Sequence, residues 1–315
     1  MFATIYLLLG LVLLYFGAEG LVRGSASLAL RLGLSPLVIG LTVVAFGTSA
    51  PELVVSLRAA LAGQAAISVG NVVGSNICNI GLILGLSALI TPITTSSQVV
   101  RIDIPIMLGA TALALVFMAD GVIRFHEGAV LFLLLLAYIV FSIRLARRSQ
   151  SDILAEEFAG EVKISKRGIL MDIAMVAGGL LLLVLGAKFL VDGAVILARA
   201  WGWSEALIGL TIVAVGTSLP ELATSLVAAV KKESDIAIGN IVGSNTFNLL
   251  GILGITAMVT PLDSTGIGRT DLAAMAVFAV VLWPFAIRQG RICRWEAAIL
   301  LGGYVGFVSW LVASS

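Results

Sequence analysis

Displaced by 169 positions, this 315-residue sequence falls back onto itself. Ile39-Gly-Leu-Thr42 becomes Ile208-Gly-Leu-Thr211, and Gly47-Thr-Ser-Ala-Pro-Glu-Leu53 becomes Gly216-Thr-Ser-Leu-Pro-Glu-Leu222. Gly70-Asn-Val-Val-Gly-Ser-Asn76 becomes Gly239-Asn-Ile-Val-Gly-Ser-Asn245, and Thr91-Pro92 becomes Thr260-Pro261. Between 36–85 and 205–254 about 27 of 50 positions match without a gap, beyond what shared hydrophobicity produces. The chain is an internal duplication, so any fold it adopts must accommodate one unit twice.

The unit is made of membrane-length segments. A helix crosses about 30 Å of hydrocarbon with about 20 apolar residues. Ten such stretches lie near 2–29, 36–62, 67–90, 102–119, 126–146, 168–198, 205–230, 236–259, 270–287 and 294–312. They are continuous rather than alternating, which excludes a membrane β-barrel. Only 12% of residues are charged and 60% are hydrophobic, against about 25% and 45–50% in soluble domains. A water-soluble enzyme is excluded as the bulk of the chain. A net charge of +1 gives no basic field for nucleic acid. The expected fold class is therefore an all-α membrane protein with ten transmembrane helices. Residues 1–146 form the first five-helix repeat, 147–167 a hydrophilic linker and 168–315 the second repeat. Five is odd, so the second repeat enters the membrane upside down, and inverted repeats are a transporter architecture with a midplane site.

Lys and Arg gather in loops after odd-numbered spans: Arg31, Arg101, Arg147 to Arg167, Lys231-Lys232, and Arg288 with Arg291. Loops after even-numbered spans hold little beyond Arg124 and Arg269. The positive-inside rule places the linker in the cytoplasm and both termini outside. The first charge is Glu19, so the N-terminal segment reads as a retained span rather than a cleaved signal.

The duplication preserves polar residues that lipid penalises. Glu52 and Glu221 lie well inside spans two and seven. A carboxylate at a helix centre costs about 2.5–3.5 kcal/mol on insertion scales, and intramembrane ionisable groups are functional by default. Pro51 and Pro220 lack an N–H and are expected to free the carbonyls of Gly47 and Gly216. Such carbonyls persist at membrane depth only inside protein or along a watery cavity, where they can bind cations. Thr48 and Glu52 stand four apart on one face, as do Thr217 and Glu221, and Ser49 and Ser218 add hydroxyls. Asn71, Ser75 and Asn79 form a polar stripe on span three, repeated by Asn240, Ser244 and Asn248 on span eight. As glue between helices such a stripe is worth little per bond. Together these residues describe an all-oxygen site with two carboxylates, which favours hard cations, and Ca²⁺ over octahedral Mg²⁺.

Other polar residues have structural readings. Glu19 with Arg23, and Lys188 with Asp192 at the equivalent positions, read as helix-face ion pairs near opposite membrane surfaces. His126 reads as a loop or interface residue and Cys78 as a core residue. Trp201, Trp203, Trp283, Trp295 and Trp310 sit near span ends as interfacial anchors.

The paired Gly-Thr-Ser-x-Pro-Glu and Gly-Ser-Asn-x-x-Asn motifs resemble the two alpha-repeats of the sodium/calcium exchangers, within the cation/calcium antiporter superfamily. The match is nearest to prokaryotic members without a regulatory loop, and it covers essentially the whole chain. The resemblance implies antiport of Na⁺ against Ca²⁺ by alternating access across a prokaryotic inner membrane. No enzymatic activity, cofactor or obligate protein partner is implied. Spans two, three, seven and eight would form the core, and long spans one and six would slide across it. Glu52 and Glu221 would ligate Ca²⁺ with the carbonyls of Thr48 and Thr217. Na⁺ would take flanking sites made by the same carboxylates with Ser49, Ser218, Ser75, Ser244 and the carbonyls of Ala45 and Ala214. Asn79 and Asn248 would line the centre. Some relatives carry Asp where this chain has Asn248, so Asn248 argues against potassium dependence and leaves two formal negative charges in the site. The alternatives are a proton-coupled divalent exchanger and a passive cation channel. A hydrolase would need a nucleophile–base pair that the core motifs lack.

Overall fold

The architecture was read from a computed structural model, which describes residues 2–153, 168–201 and 214–314. Helix α1 spans Phe2–Leu32. A broken pair follows, α2 (Pro36–Thr48) and α3 (Ala50–Leu61), bent by 43°. Then come α4 (Ala65–Ile90), α5 (Val99–Met118) and α6 (Phe125–Ile153). The second half holds α7 (Ile169–Ala200), α8 (Leu219–Val230), α9 (Ser234–Val259), α10 (Arg269–Arg288) and α11 (Arg294–Ser314). Among the described residues eight helices are long and apolar enough to cross a membrane, and nine if the bent pair is one span. The seventh expected span, 205–230, is described only from Ala214, so its first half and Trp203 lie outside the described residues.

The 169-residue displacement persists in the elements. Strand β1 (Ile93–Thr94) and β2 (Val122–Ile123) of the first half correspond to β3 (Leu262–Asp263) and β4 (Arg291–Ile292) of the second. The strands pair across halves: Ile93 lies opposite Ile292 and Ile123 opposite Leu262, antiparallel in both cases. Adding 169 to one partner and subtracting it from the other turns the first pair into the second. The two halves therefore grip each other reciprocally.

Helices α4 and α9 lie at the centre. In their most apolar windows 72% and 89% of residues are buried, against at most 39% in the other long spans. Outer helices present large apolar side chains such as Leu8, Leu11, Phe16, Leu133 and Val305 to the exterior. An apolar exterior around a polar-studded centre is the reverse of a soluble protein and suits a lipid solvent.

Helices α1 and α7 form a long antiparallel seam. Glycines recur every seven residues on each, Gly10, Gly17 and Gly24 against Gly179, Gly186 and Gly193. A Cβ on Gly17 would stand 2.8 Å from the Leu183 backbone nitrogen, and one on Gly186 2.8 Å from that of Leu14. Only hydrogen fits between backbones this close, the small-residue packing that replaces hydrophobic drive in lipid. At one end of the seam buried Asp172 accepts from Arg31 Nε at 2.5 Å and Ser27 Oγ at 2.8 Å.

Four expectations are modified. Helix α6 runs through Ile153, into the residues assigned to the linker, because no Gly or Pro stops it. Glu19 pairs with Arg23 at 2.6 Å as expected, and also with Lys231. Among the described residues Lys188 and Asp192 make no such pair. Both are exposed, and Lys four residues before Asp is the weaker orientation on a helix. Buried Cys78 lies where expected, whereas exposed His126 lies in the first turn of α6 rather than in a loop.

Candidate ion-binding site

The site begins with a helix break. Helix α2 ends at Thr48, Ser49 leaves helical geometry (φ −82°, ψ 4°), and α3 starts at Ala50. The second half repeats this at Ser218 (φ −89°, ψ 6°) ahead of α8. Pro51 and Pro220 thus fall in the first turn of a new helix, where a missing N–H costs nothing. The proline therefore marks a bent restart rather than the interior of a continuous helix. It places Glu52 and Glu221 in the first turns of α3 and α8, where the positive end of the helix dipole favours a carboxylate.

Each carboxylate reaches the opposite half. Ser49 Oγ donates to Glu221 Oε1 at 2.9 Å, and Ser218 Oγ donates to Glu52 Oε1 at 3.2 Å. Both glutamates are 1% exposed. The four residues interlock, which brings two acids from distant sequence into one cluster. Ser75 joins it, with its Oγ 3.4 Å from Ser218 Oγ.

Asparagines frame the cluster. Asn71 Nδ2 donates to the Glu52 carbonyl at 3.2 Å and to Ser56 Oγ at 2.9 Å. Asn240 Nδ2 donates to the Glu221 carbonyl at 3.4 Å and to Ser225 Oγ at 3.0 Å. These amides pin the backbone that carries each acid. Asn79 Nδ2 donates to Asn245 Oδ1 at 3.0 Å, and Asn248 Nδ2 to Asn76 Oδ1 at 3.1 Å, tying α4 to α9 across the centre. Asn79 and Asn248 each open a π-helical turn, Asn79–Leu84 and Asn248–Ile252. Such turns recur at functional sites, where the extra residue re-aims side chains.

What the cluster leaves unsatisfied is informative. Glu52 Oε2, Glu221 Oε2, Asn79 Oδ1, Asn248 Oδ1 and Ser244 Oγ are buried without a hydrogen-bond partner. Orphaned buried acceptors are costly, and two neighbouring buried carboxylates repel. A cation removes both penalties. Among the described residues no group of three or more His, Cys, Asp or Glu side chains gathers anywhere, so a cation entering this cluster would meet two carboxylates among hydroxyl, amide and carbonyl oxygens.

The remaining expected residues precede the two acids in sequence. Thr48 is buried, and its hydroxyl donates to Asn240 Oδ1 at 3.0 Å, holding α2 to α9. The Ala45 carbonyl accepts from the Ser49 N–H and the Thr48 hydroxyl. Thr217 is half-buried, and Ala214 lies in the short turn Ala214–Gly216 before α8. Sequence reasoning missed Asn76 and Asn245. They sit inside the repeated Gly-Ser-Asn motif, and their repetition at buried positions is the signal that marks them. Gly243 sets the approach of α9 to α2, since a Cβ there would stand 2.6 Å from the Leu41 carbonyl oxygen. Gly243→Ala is expected to push α9 outward and weaken cation binding at the cluster roughly tenfold, the order of a 1–3 kcal/mol overpacking penalty, as measured by titration of the purified protein. Gly302→Ala on α11, where a Cβ meets nothing within 4 Å, is expected to leave binding unchanged.

Comparison with known proteins supports the same reading. The family described as sodium/calcium exchanger protein matches residues 2–144 and again 171–313. The chain is 38% identical over 317 residues to inner membrane protein YrbG of Escherichia coli (strain K12), covering 98% of this chain and 95% of that one. It is 34% identical to sodium/calcium exchanger MaX1 of Methanosarcina acetivorans, covering 96% of each. A structure of the sodium-calcium exchanger NCX_Mj, soaked with 2.5 mM Na⁺ and 0.1 mM Ca²⁺, superposes with a TM-score of 0.85 at 34% identity over 98% of both chains.

Proposed function

The chain belongs to the sodium/calcium exchanger family, and from that premise we propose how it works as an antiporter. It is an integral membrane protein that exchanges Na⁺ for Ca²⁺ and is a transporter rather than an enzyme. Glu52 and Glu221 are the shared centre. Ca²⁺ is ligated by both carboxylates with the Thr48 and Thr217 carbonyls. Na⁺ takes flanking positions completed by Ser49, Ser218, Ser75, Ser244 and the Ala45 and Ala214 carbonyls, with Asn79 and Asn248 lining the middle. The reciprocal bonds of Ser49 to Glu221 and Ser218 to Glu52 carry this reading, because they put one ligand set under the control of both halves. Two carboxylates cannot balance a divalent ion and additional monovalent ions together, so the ions take turns.

The chain carries ten spans as two inverted five-helix repeats, 1–146 and 168–315, joined by 147–167. The antiparallel run of α1 against its repeat counterpart α7 supports the inversion. The protein sits in a prokaryotic inner membrane with both termini outside, as the loop charges favour. Ion occupancy then biases which face of the site is open.

Calcium uptake into Na⁺-loaded vesicles tests the proposal, with potassium and pH varied independently. Uphill accumulation that requires the Na⁺ gradient and ignores potassium is the expected result. Flux driven by a pH gradient alone would favour proton coupling, and downhill flux alone would favour a channel. Acidification of both compartments is expected to slow uptake, because protons on Glu52 and Glu221 remove the charge that holds Ca²⁺. Uptake that rises on acidification would contradict that role.

A further inference from the structure

The inverted repeat supplies an internal control, because each feature on one face of the site has a counterpart on the other. Val191 and Thr217 line a cleft of about 220 Å³ together with Pro51, Val184, Lys188 and Asp192. It runs between α7 and the start of α3 and ends at Pro51 and Thr217, next to the buried Glu52 and Ser218 in sequence. Subtracting 169 from the second-half positions gives Val22, Thr48, Tyr15, Glu19 and Arg23. There the picture is inverted: Val22 is 1% exposed and Thr48 fully buried, whereas Val191 and Thr217 are half-exposed. The α1–α7 pair also packs along α8 rather than along its counterpart α3. One face is open and the other shut.

The charges differ in step with this asymmetry. On the shut face Glu19 Oε1 accepts from Lys231 Nζ, just beyond α8, at 3.0 Å, while Arg23 Nη2 holds the same oxygen at 2.6 Å. On the open face Lys188 and Asp192 stand exposed at the cleft without an ion pair among the described residues. Position 62, the counterpart of Lys231, is alanine. Among the described residues the bridge from the seam to the core therefore exists at one end only. Intrahelical Arg23–Glu19 moves with α1, but Lys231–Glu19 joins α1 to the helix that carries Glu221.

We propose that the Lys231–Glu19 bridge is a one-sided ionic latch that holds the Glu19 face of the ion site shut, and that it must break before that face opens. The proposal rests on the alternating-access reading above. A one-sided latch lets the two faces differ in how readily they open, although the sites behind them are built from duplicated parts.

The test reads accessibility rather than transport. Val22→Cys places a thiol behind the latch, and its labelling by a membrane-impermeant maleimide in reconstituted vesicles reports opening of that face. Peptide mass spectrometry separates it from Cys78 and Cys293. Adding Glu19→Gln or Lys231→Gln is expected to raise the labelling rate about two- to fivefold, the factor a partly exposed ion pair supplies. The exchanged pair Glu19→Lys with Lys231→Glu is expected to return it toward the starting rate. Arg23→Gln is expected to leave it unchanged, because the interhelical bond remains. If the single variants label at the starting rate, or Arg23→Gln opens the face as much as Lys231→Gln, the latch is wrong. Na⁺-driven Ca²⁺ uptake by the unaltered protein is measured in the same vesicles. Its presence with unchanged labelling overturns the latch alone, and its absence overturns the exchange reading alone.

Discussion

Glu52→Gln and Glu221→Gln are each expected to abolish Na⁺-driven Ca²⁺ uptake, by about 100-fold or more. Glutamine keeps the shape and still offers an oxygen to Ser218 or Ser49, so the interlock of the halves survives. What is lost is one of two negative charges in a buried cluster with no third acid among the described residues. Leaving a buried ion short of its counter-charge costs about 3–5 kcal/mol, which is about two to four orders of magnitude in occupancy. The variants should elute and melt like the parent in detergent, because removing a buried carboxylate charge also relieves repulsion. Uptake by either variant within tenfold of the parent would remove these residues from the centre of the site.

Gly17→Val or Gly179→Val is expected to have the next largest effect, through a different cause. A Cβ on Gly179 would lie 2.7 Å from the Gly17 carbonyl oxygen and 2.7 Å from the Leu21 backbone nitrogen. Backbone cannot rotate aside as a side chain can, so α1 and α7 must separate along their length. Overpacking costs about 1–3 kcal/mol where a core can relax, and more where it cannot. A melting temperature lower by several degrees is expected, with uptake reduced at least tenfold. Gly178→Ala, one residue away and facing open space, is expected to match the parent in both measurements. Equal damage from Gly178→Ala would show that glycine content, rather than the seam, sets stability.

The two acids, the hydroxyls beside them and the duplication were all legible in the sequence, because lipid makes each buried polar group conspicuous and repetition makes it doubly so. The seven-residue glycine spacing was equally visible, yet a count of 34 glycines says only that helices approach closely. Which glycines meet depends on the antiparallel pairing of α1 with α7, a long-range fact. Asn76 and Asn245 escaped notice as site residues for a similar reason. Their partners, Asn248 and Asn79, lie in the opposite half. The π-helical turns at Asn79 and Asn248 carry no local signature, since neighbouring helices decide where a turn widens. Lys188 and Asp192 show the opposite failure: four-residue spacing implies an ion pair, but exposure in a cleft leaves each to solvent.

The strand pairs that stitch β1 to β4 and β2 to β3 carry a consequence for how such a molecule can be assembled. The strand pairs, and the side-chain bonds of Asn79 to Asn245 and of Asn248 to Asn76, are swapped and returned, as in a handshake between twins. Two separately synthesised polypeptides, cut anywhere in the hydrophilic connection, should find each other in the bilayer and work as one machine.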